Sequence, residues 1–441
     1  MIKSPSEWLT RYASLLTLLA AYFFLTVLMN IVFAIYDDRF ASGSIDKFSI
    51  STFPVLTVGY WLLLFLPFLV VPPVAFCARR LFAQPVGVIA NWVPEFRAVD
   101  YLMIAGVCYA VVGYAMYRAN AWELLSSGSD ARSSVSARFE LLDRLEFFER
   151  AILQSVLVFL ALYSFVRARC SPSLIWTLFF CANIILMTTL FSLLNMKWPI
   201  VVLYGGIVAS SALFGRYRVT SSVLAAVVMV CVYLLIATVV LRISHPGNQT
   251  RSSNQTQSSN QTPSSDSTSH RAVEVVGAAI SSSSRLAISG LVRMALPYPF
   301  YYRTFTDEGP VCGSIIDRIK RRQNPCQPSL LIYEKMFTND GFAGRGTAPA
   351  AFNISGYALD GWPGALLEAV LAGVLIGVFM AVPATRNAMV GTVSVMGILS
   401  AYFLSQLPIE GVAIYDHGIL WWLLLIVAYG AVRQFVVHVR G

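Results

Sequence analysis

Between positions 303 and 363 the sequence gathers residue types suited to handling phosphate. Arg303, Asp307, Glu308, Arg318, Lys320, Arg321, Arg322, Lys335, Asp340, Arg345 and Asp360 fall there, interspersed with Gly341, Gly344, Gly346, Gly356 and Gly361. A guanidinium offers paired donors to phosphate oxygens. Glycine lets backbone N–H groups come close to an anion. Asp307, Glu308 and Asp360 are candidate bases for a hydroxyl nucleophile. A second polar group lies at 409–417, where Glu410 and Asp416 accompany His417, a residue type that titrates near neutrality. Composition alone leaves the plainer reading open: solvated loops for the first group, and an interfacial histidine capping the last helix for the second.

The elements that hold these loops are apolar. Of 441 residues, 57% are hydrophobic and 12% charged, with a mean hydropathy of +0.66. Soluble domains carry about 25% charged residues, so a soluble enzyme, a disordered regulator and a fibrous protein are excluded. The net charge of +9 is spread over segments flanking apolar runs and does not point to nucleic acid. About ten runs are long enough to cross a bilayer, over 12–36, 54–77, 101–119, 150–167, 172–195, 198–215, 219–242, 364–383, 388–408 and 418–437. The first is too long for a removed signal peptide. The expected fold is thus an all-α polytopic membrane protein with one large outer loop. Helices one to seven occupy 1–243, a Ser/Asn-rich linker 244–284, an Arg/Gly-rich loop with an interfacial helix 285–363, and helices eight to ten 364–441. Lys and Arg dominate the short loops on the side of the N-terminus, which predicts both termini in the cytoplasm and residues 243–363 outside.

Within that loop, NQTRSS, NQTQSS and NQTPSS repeat over 248–265 with almost no apolar content, as in a flexible linker. Asn248, Asn254, Asn260 and Asn353 match the glycosylation acceptor pattern, but a solvated linker of skewed composition is the favoured reading, since nothing else in the sequence points to a glycosylating compartment. Residues 285–302, including Arg293, are too short and too interrupted by Pro297 and Pro299 to span, and suit an interfacial or re-entrant helix ending in an aromatic run. Cys312 and Cys326 are spaced to close a disulfide worth roughly 3 kcal/mol in an oxidising compartment. Glu368, one turn inside the eighth span, reads either as functional or as snorkelling to the interface. Gly373 and Gly377 form a small-xxx-small pair for helix packing. Trp198, Trp421 and Trp422 read as interface anchors. The stretch 138–150 is amphipathic, with Glu140–Arg144 and Glu146–Arg150 four apart, and is expected to lie on the outer surface and lead into the fourth span.

The stretch Arg345-GTAPAAFNIS-Gly356-Tyr357, followed by LDGWPGALLEAVLAGVLIG, resembles bacterial O-antigen and oligosaccharide-repeat-unit polymerases of the Wzy type. The likeness rests on an arginine, ten residues and a glycine in an outer loop, then Thr347, Pro349, Tyr357, Gly361, Trp362 and Gly364 entering a membrane helix. It covers 345–377, and the remainder is likeness of topology. A second such motif in another long loop is absent: Gly128 and Gly313 each fall one position short of the spacing from Arg118 and Arg303.

The resemblance implies a GT-C-like enzyme of the bacterial inner membrane, its large loop periplasmic, acting without a metal or other cofactor. Its implied substrates are oligosaccharides on undecaprenyl pyrophosphate, with membrane lipids and a chain-length regulator as further partners. Arg345 is then the expected catalytic cation, with Asp360, Glu308 and His417 as candidate bases. Arg303, Arg293, Gly356 and Tyr357 are the expected substrate-binding residues. Three alternatives stand beside it: an O-antigen ligase, a metal-dependent polyprenyl-phosphate-sugar glycosyltransferase using Asp37 and Asp38, and a flippase or transporter.

Overall fold

The computed structural model describes residues 5–36, 57–121, 123, 131–194, 196–214, 220–229, 231–232, 294–310, 327–336, 346–383, 387–415 and 418–440. Among them every regular element is helical. The first helix is α1 (Pro5–Tyr22), a π-turn (Phe23–Val27) and α2 (Leu28–Tyr36). Next come α3 (Val58–Trp92), α4 (Ala98–Arg118), α5 (Ala131–Arg144) and α6 (Phe147–Ala151), the last continuing through a second π-turn into α7 (Leu157–Cys170). Then follow α8 (Leu174–Leu193), α9 (Lys197–Phe214), α10 (Thr220–Met229), α11 (Pro297–Asp307) and α12 (Pro328–Met336). The chain ends with α13 (Phe352–Ala381), α14 (Ala388–Leu404), α15 (Ile409–Ala413) and α16 (Ile419–Arg440).

Among the described residues, seven segments are long and apolar enough to cross a membrane: Arg11–Ile35, Val58–Trp92, Ala98–Arg118, Phe147–Cys170, Leu174–Leu193, Phe352–Ala381 and Ile419–Val436. Where spans are expected over 198–215, 219–242 and 388–408, the described helices are shorter apolar ones, Pro199–Phe214, Thr220–Met229 and Ala388–Leu404. The bundle exposes large apolar side chains outward, such as Leu69, Val107 and Val427, as a surface solvated by lipid does.

Two helices organise the bundle. Residues 157–166 of α7 are buried on every side, as their all-round apolar sequence LVFLALYSFV demands, and α8, α9 and α14 pack around them. The most extensive helix pair is α3 with α13. Gly373 and Gly377 carry it: a Cβ on Gly377 would sit 2.6 Å from the Ala75 carbonyl oxygen, and one on Gly373 2.8 Å from the Val74 side chain. Their predicted packing role is met here, with α3 as the partner.

Other expectations are revised. Residues 138–150 form two helices: Glu146 is the N-cap of α6 in a reciprocal capping box with Glu149 and binds Arg118 at 2.7 Å instead of Arg150. The Glu140–Arg144 pair forms at 2.6 Å. Trp422 is fully buried and stacks on Phe159, so it is a core residue and not an interface anchor. Pro297 and Pro299 open α11, where the first turn has no need of their missing N–H groups, so the aromatic run begins a helix.

Candidate functional site

The site is built around a reversal inside α13. Asp360 (φ −150°, ψ 24°) and Gly361 (φ 63°, ψ −144°) leave helical geometry and divide the segment into a short helix 352–359 and a long one from 362. The short helix folds back on the long one. A Cβ on Gly356 would lie 2.4 Å from the Gly364 carbonyl oxygen, and one on Gly364 2.2 Å from that of Gly356. Only two glycines allow this approach, and Gly361 supplies the left-handed φ at the tip. Residues 346–351 form the extended limb entering the hairpin, with Ala348, Ala350 and Ala351 all buried. The limbs of the hairpin are therefore buried in protein, while its tip at 360–363 is partly exposed.

A buried polar network anchors it. Asn353 is fully buried, and its Nδ2 donates to the Leu63 carbonyl at 2.8 Å and to the Tyr22 hydroxyl at 3.1 Å. Leu63 needs that donor because Pro67, four residues on in α3, has no N–H. Tyr22 in turn donates to the Leu64 carbonyl at 2.9 Å. The π-turn lies between Tyr22 and Asn30, and both side chains meet α3: Asn30 Oδ1 accepts from the Tyr60 hydroxyl. Asn353 Oδ1 has no hydrogen-bond partner among the described residues.

Over this floor lies α11, an aromatic helix with Tyr298, Tyr301, Tyr302 and Phe305 turned inward. Tyr302 stacks on Tyr357 with ring centroids 5.6 Å apart, and Tyr357 meets Trp362 edge-on at 6.0 Å. Thr306 and the Tyr357 hydroxyl are 3.0 Å apart, tying α11 to the hairpin three residues before its tip. Burial, and after it the Glu410 carboxylate, raises the Tyr301 hydroxyl well above its ordinary pKa, so it stays a neutral donor; it reaches the Ala348 carbonyl at 3.4 Å. The outer faces of α11 and α12 carry charge: Arg303 pairs with Asp307 at 3.7 Å, and Glu308, at the C-cap of α11, pairs with Lys335 of α12.

Of the residues expected to act, Asp360 stands partly exposed at the hairpin tip and Glu308 and Arg303 on the charged rim. Tyr357 is buried between α11 and the hairpin. Gly356 faces Gly364 and Glu368, which gives it a packing role. Arg345, Arg293, His417, Cys312 and Cys326 lie outside the described residues, as do Asp37, Asp38, Asp416 and the whole linker 244–284. Gly346, next in chain to Arg345, lies against the Tyr333 ring of α12. Glu368 is 5% exposed, and its carboxylate accepts the Ile409 N–H at 3.2 Å, fixing the start of α15; it does not snorkel. Asn353, a formal glycosylation acceptor, is inaccessible to modification in the folded chain.

Sequence reasoning missed Asn353, Asn30 and the tyrosines facing them. Two signals were available: amides inside apolar runs, and a proline that frees a carbonyl four residues earlier. Among the described residues no three His, Cys, Asp or Glu side chains come together.

These features define an α-helical multi-pass membrane protein with an aromatic, amide-anchored hairpin at one end of its bundle. A scan against protein-family models gives no match, and searches of the curated proteins and of the solved structures likewise give none.

Proposed function

We propose that this protein is a GT-C-like polysaccharide polymerase. It transfers a growing glycan from undecaprenyl pyrophosphate to a lipid-linked repeat unit on the outer face of the bacterial inner membrane. The observation that carries this reading is the hairpin itself. The motif from Arg345 to Gly356 runs directly into a reversal with buried limbs whose partly exposed tip bears Asp360, beside a rim carrying Arg303, Asp307, Glu308 and Lys335. A lipid-linked donor needs that juxtaposition: a lipid-facing surface for the polyprenyl chain and fixed charges at its edge for the pyrophosphate.

In the reaction, an acceptor hydroxyl oxygen bonds to the anomeric carbon while the bond from that carbon to the pyrophosphate oxygen breaks. The electron pair leaves with the lipid pyrophosphate, and Arg345 neutralises it, assisted by Arg303 and Arg293. The hydroxyl proton passes to a carboxylate or imidazole, with Asp360, Glu308 and His417 as the candidates. Tyr357 and Gly356 hold the hairpin in register for this. The orientation, with the α11 end outside, is supported by the basic residues of the opposite end, including Arg79, Arg97, Arg167 and Arg433.

Deleting the gene and resolving lipid-linked glycans on gels tests the proposal. Loss of long chains with single repeats retained on the outer face is the expected result. Loss of all external repeats indicates a flippase, and retention of lipid-linked polymer with none on the lipid A core indicates a ligase; either overturns the reading.

A further inference from the structure

At the end of the bundle away from α11, five helix termini meet around an open cavity of about 580 Å³. Its lining includes Glu95, Arg97, Arg167, Trp176, Asn387 and Arg433, three arginines against one carboxylate. The carboxylate is already engaged: Glu95 binds Arg167 at 2.5 Å through one oxygen and caps the Ala388 N–H at 2.7 Å through the other. Arg433 is held in place by a 2.8 Å bond to the Glu95 carbonyl. Arg167 packs over the Trp176 ring, and its Nε is buried with no hydrogen-bond partner among the described residues. Arg97 makes no ion pair among the described residues and is the N-cap of α4, to which its own side chain gives no cap bond. Asp100 in that turn is taken by the Tyr429 hydroxyl at 2.9 Å.

The cavity thus holds three guanidinium groups against one lining carboxylate, Glu95, which is already bound to Arg167 and to the Ala388 N–H. That is the chemistry of a phosphate site. Its flanks are apolar and exposed: Trp92, Val99, Leu102, Val432 and Phe435 stand outward from α3, α4 and α16. A basic pocket between membrane helices, bordered by lipid-facing side chains, suits a phosphate that carries acyl chains.

We propose that this cavity binds the phosphate of an anionic phospholipid headgroup, holding the α3–α4 turn, α7, α14 and α16 together at that surface. The proposal does not depend on the polymerase reading.

The test uses the full-length protein in zwitterionic detergent, with lipid binding followed by native mass spectrometry and thermal stability. Phosphatidylglycerol is expected to bind and to raise the melting temperature. Phosphatidylcholine is expected to do neither, and inorganic phosphate to give at most a small shift. Arg97→Gln and Arg433→Gln should each weaken phosphatidylglycerol binding about five- to tenfold. The Arg97 side chain is exposed and makes no hydrogen bond or ion pair among the described residues, so the melting temperature of this variant without lipid should match the parent protein. Equal binding of both lipids, or unchanged affinity in both variants, would overturn the proposal. A phosphate effect equal to that of phosphatidylglycerol would place a soluble anion in the cavity and overturn the lipid assignment.

Discussion

Asn353 Nδ2 lies 2.8 Å from the carbonyl oxygen of Leu63, the acceptor that Pro67 leaves without an intrahelical donor. One contact thereby solves two problems: a proline-broken turn in α3 gains its missing hydrogen bond, and the hairpin gains a fixed depth against that helix. In hydrocarbon surroundings an unpaired carbonyl has no water to turn to.

The first prediction follows from that pairing. Asn353→Leu should destabilise the protein by about 2 kcal/mol, the cost of leaving a buried carbonyl unsatisfied. Restoring the backbone donor with Pro67→Ala should shrink that cost. A double-mutant cycle on thermal unfolding in detergent measures the coupling, and additive effects would show that the two sites are independent.

The hairpin glycines should differ in kind. Gly364→Ala places a Cβ 2.2 Å from the Gly356 carbonyl oxygen, so the two limbs must part; a loss above about 3 kcal/mol and poor accumulation are expected. Gly361→Ala meets nothing within 4 Å but must keep φ at +63°, a strain of about 1–3 kcal/mol. Expression level and melting temperature rank the two.

Glu368 serves as an acceptor for the Ile409 N–H. Glu368→Gln keeps a carbonyl oxygen and should accumulate normally, whereas Glu368→Leu removes the acceptor and should cost about 1 kcal/mol or more. If Glu368→Gln instead inserts and melts normally yet abolishes polymer, the carboxylate has a chemical role beyond the cap.

Arg345→Ala should abolish glycan extension while the protein still inserts and accumulates. Arg345→Lys should restore only a small fraction, because an ammonium lacks the paired donors of a guanidinium. Polymer length on gels reads both, and normal lengths in Arg345→Ala would remove this residue from the mechanism.

Cysteines placed at 308 and 97 should label from opposite sides of the membrane, the first with an impermeant thiol reagent in intact cells and the second only after lysis. Labelling of both from one side would contradict the arrangement of the bundle, and the reverse pattern would invert the proposed orientation.

The sequence by itself determined that this is a helical membrane protein, because an apolar run of sufficient length has one stable form in a bilayer whatever its neighbours do. It also marked Gly373 and Gly377 as packing residues, since small residues four apart face one way on any helix. Only the tertiary structure decided that 352–364 doubles back, that Gly356 packs on Gly364, that Glu368 caps α15 and that Trp422 stacks in the core. Those outcomes hinge on which helix lies opposite. The Leu63 carbonyl and the Asn353 amide are 290 positions apart in sequence, and local periodicity carries no record of a partner that distant.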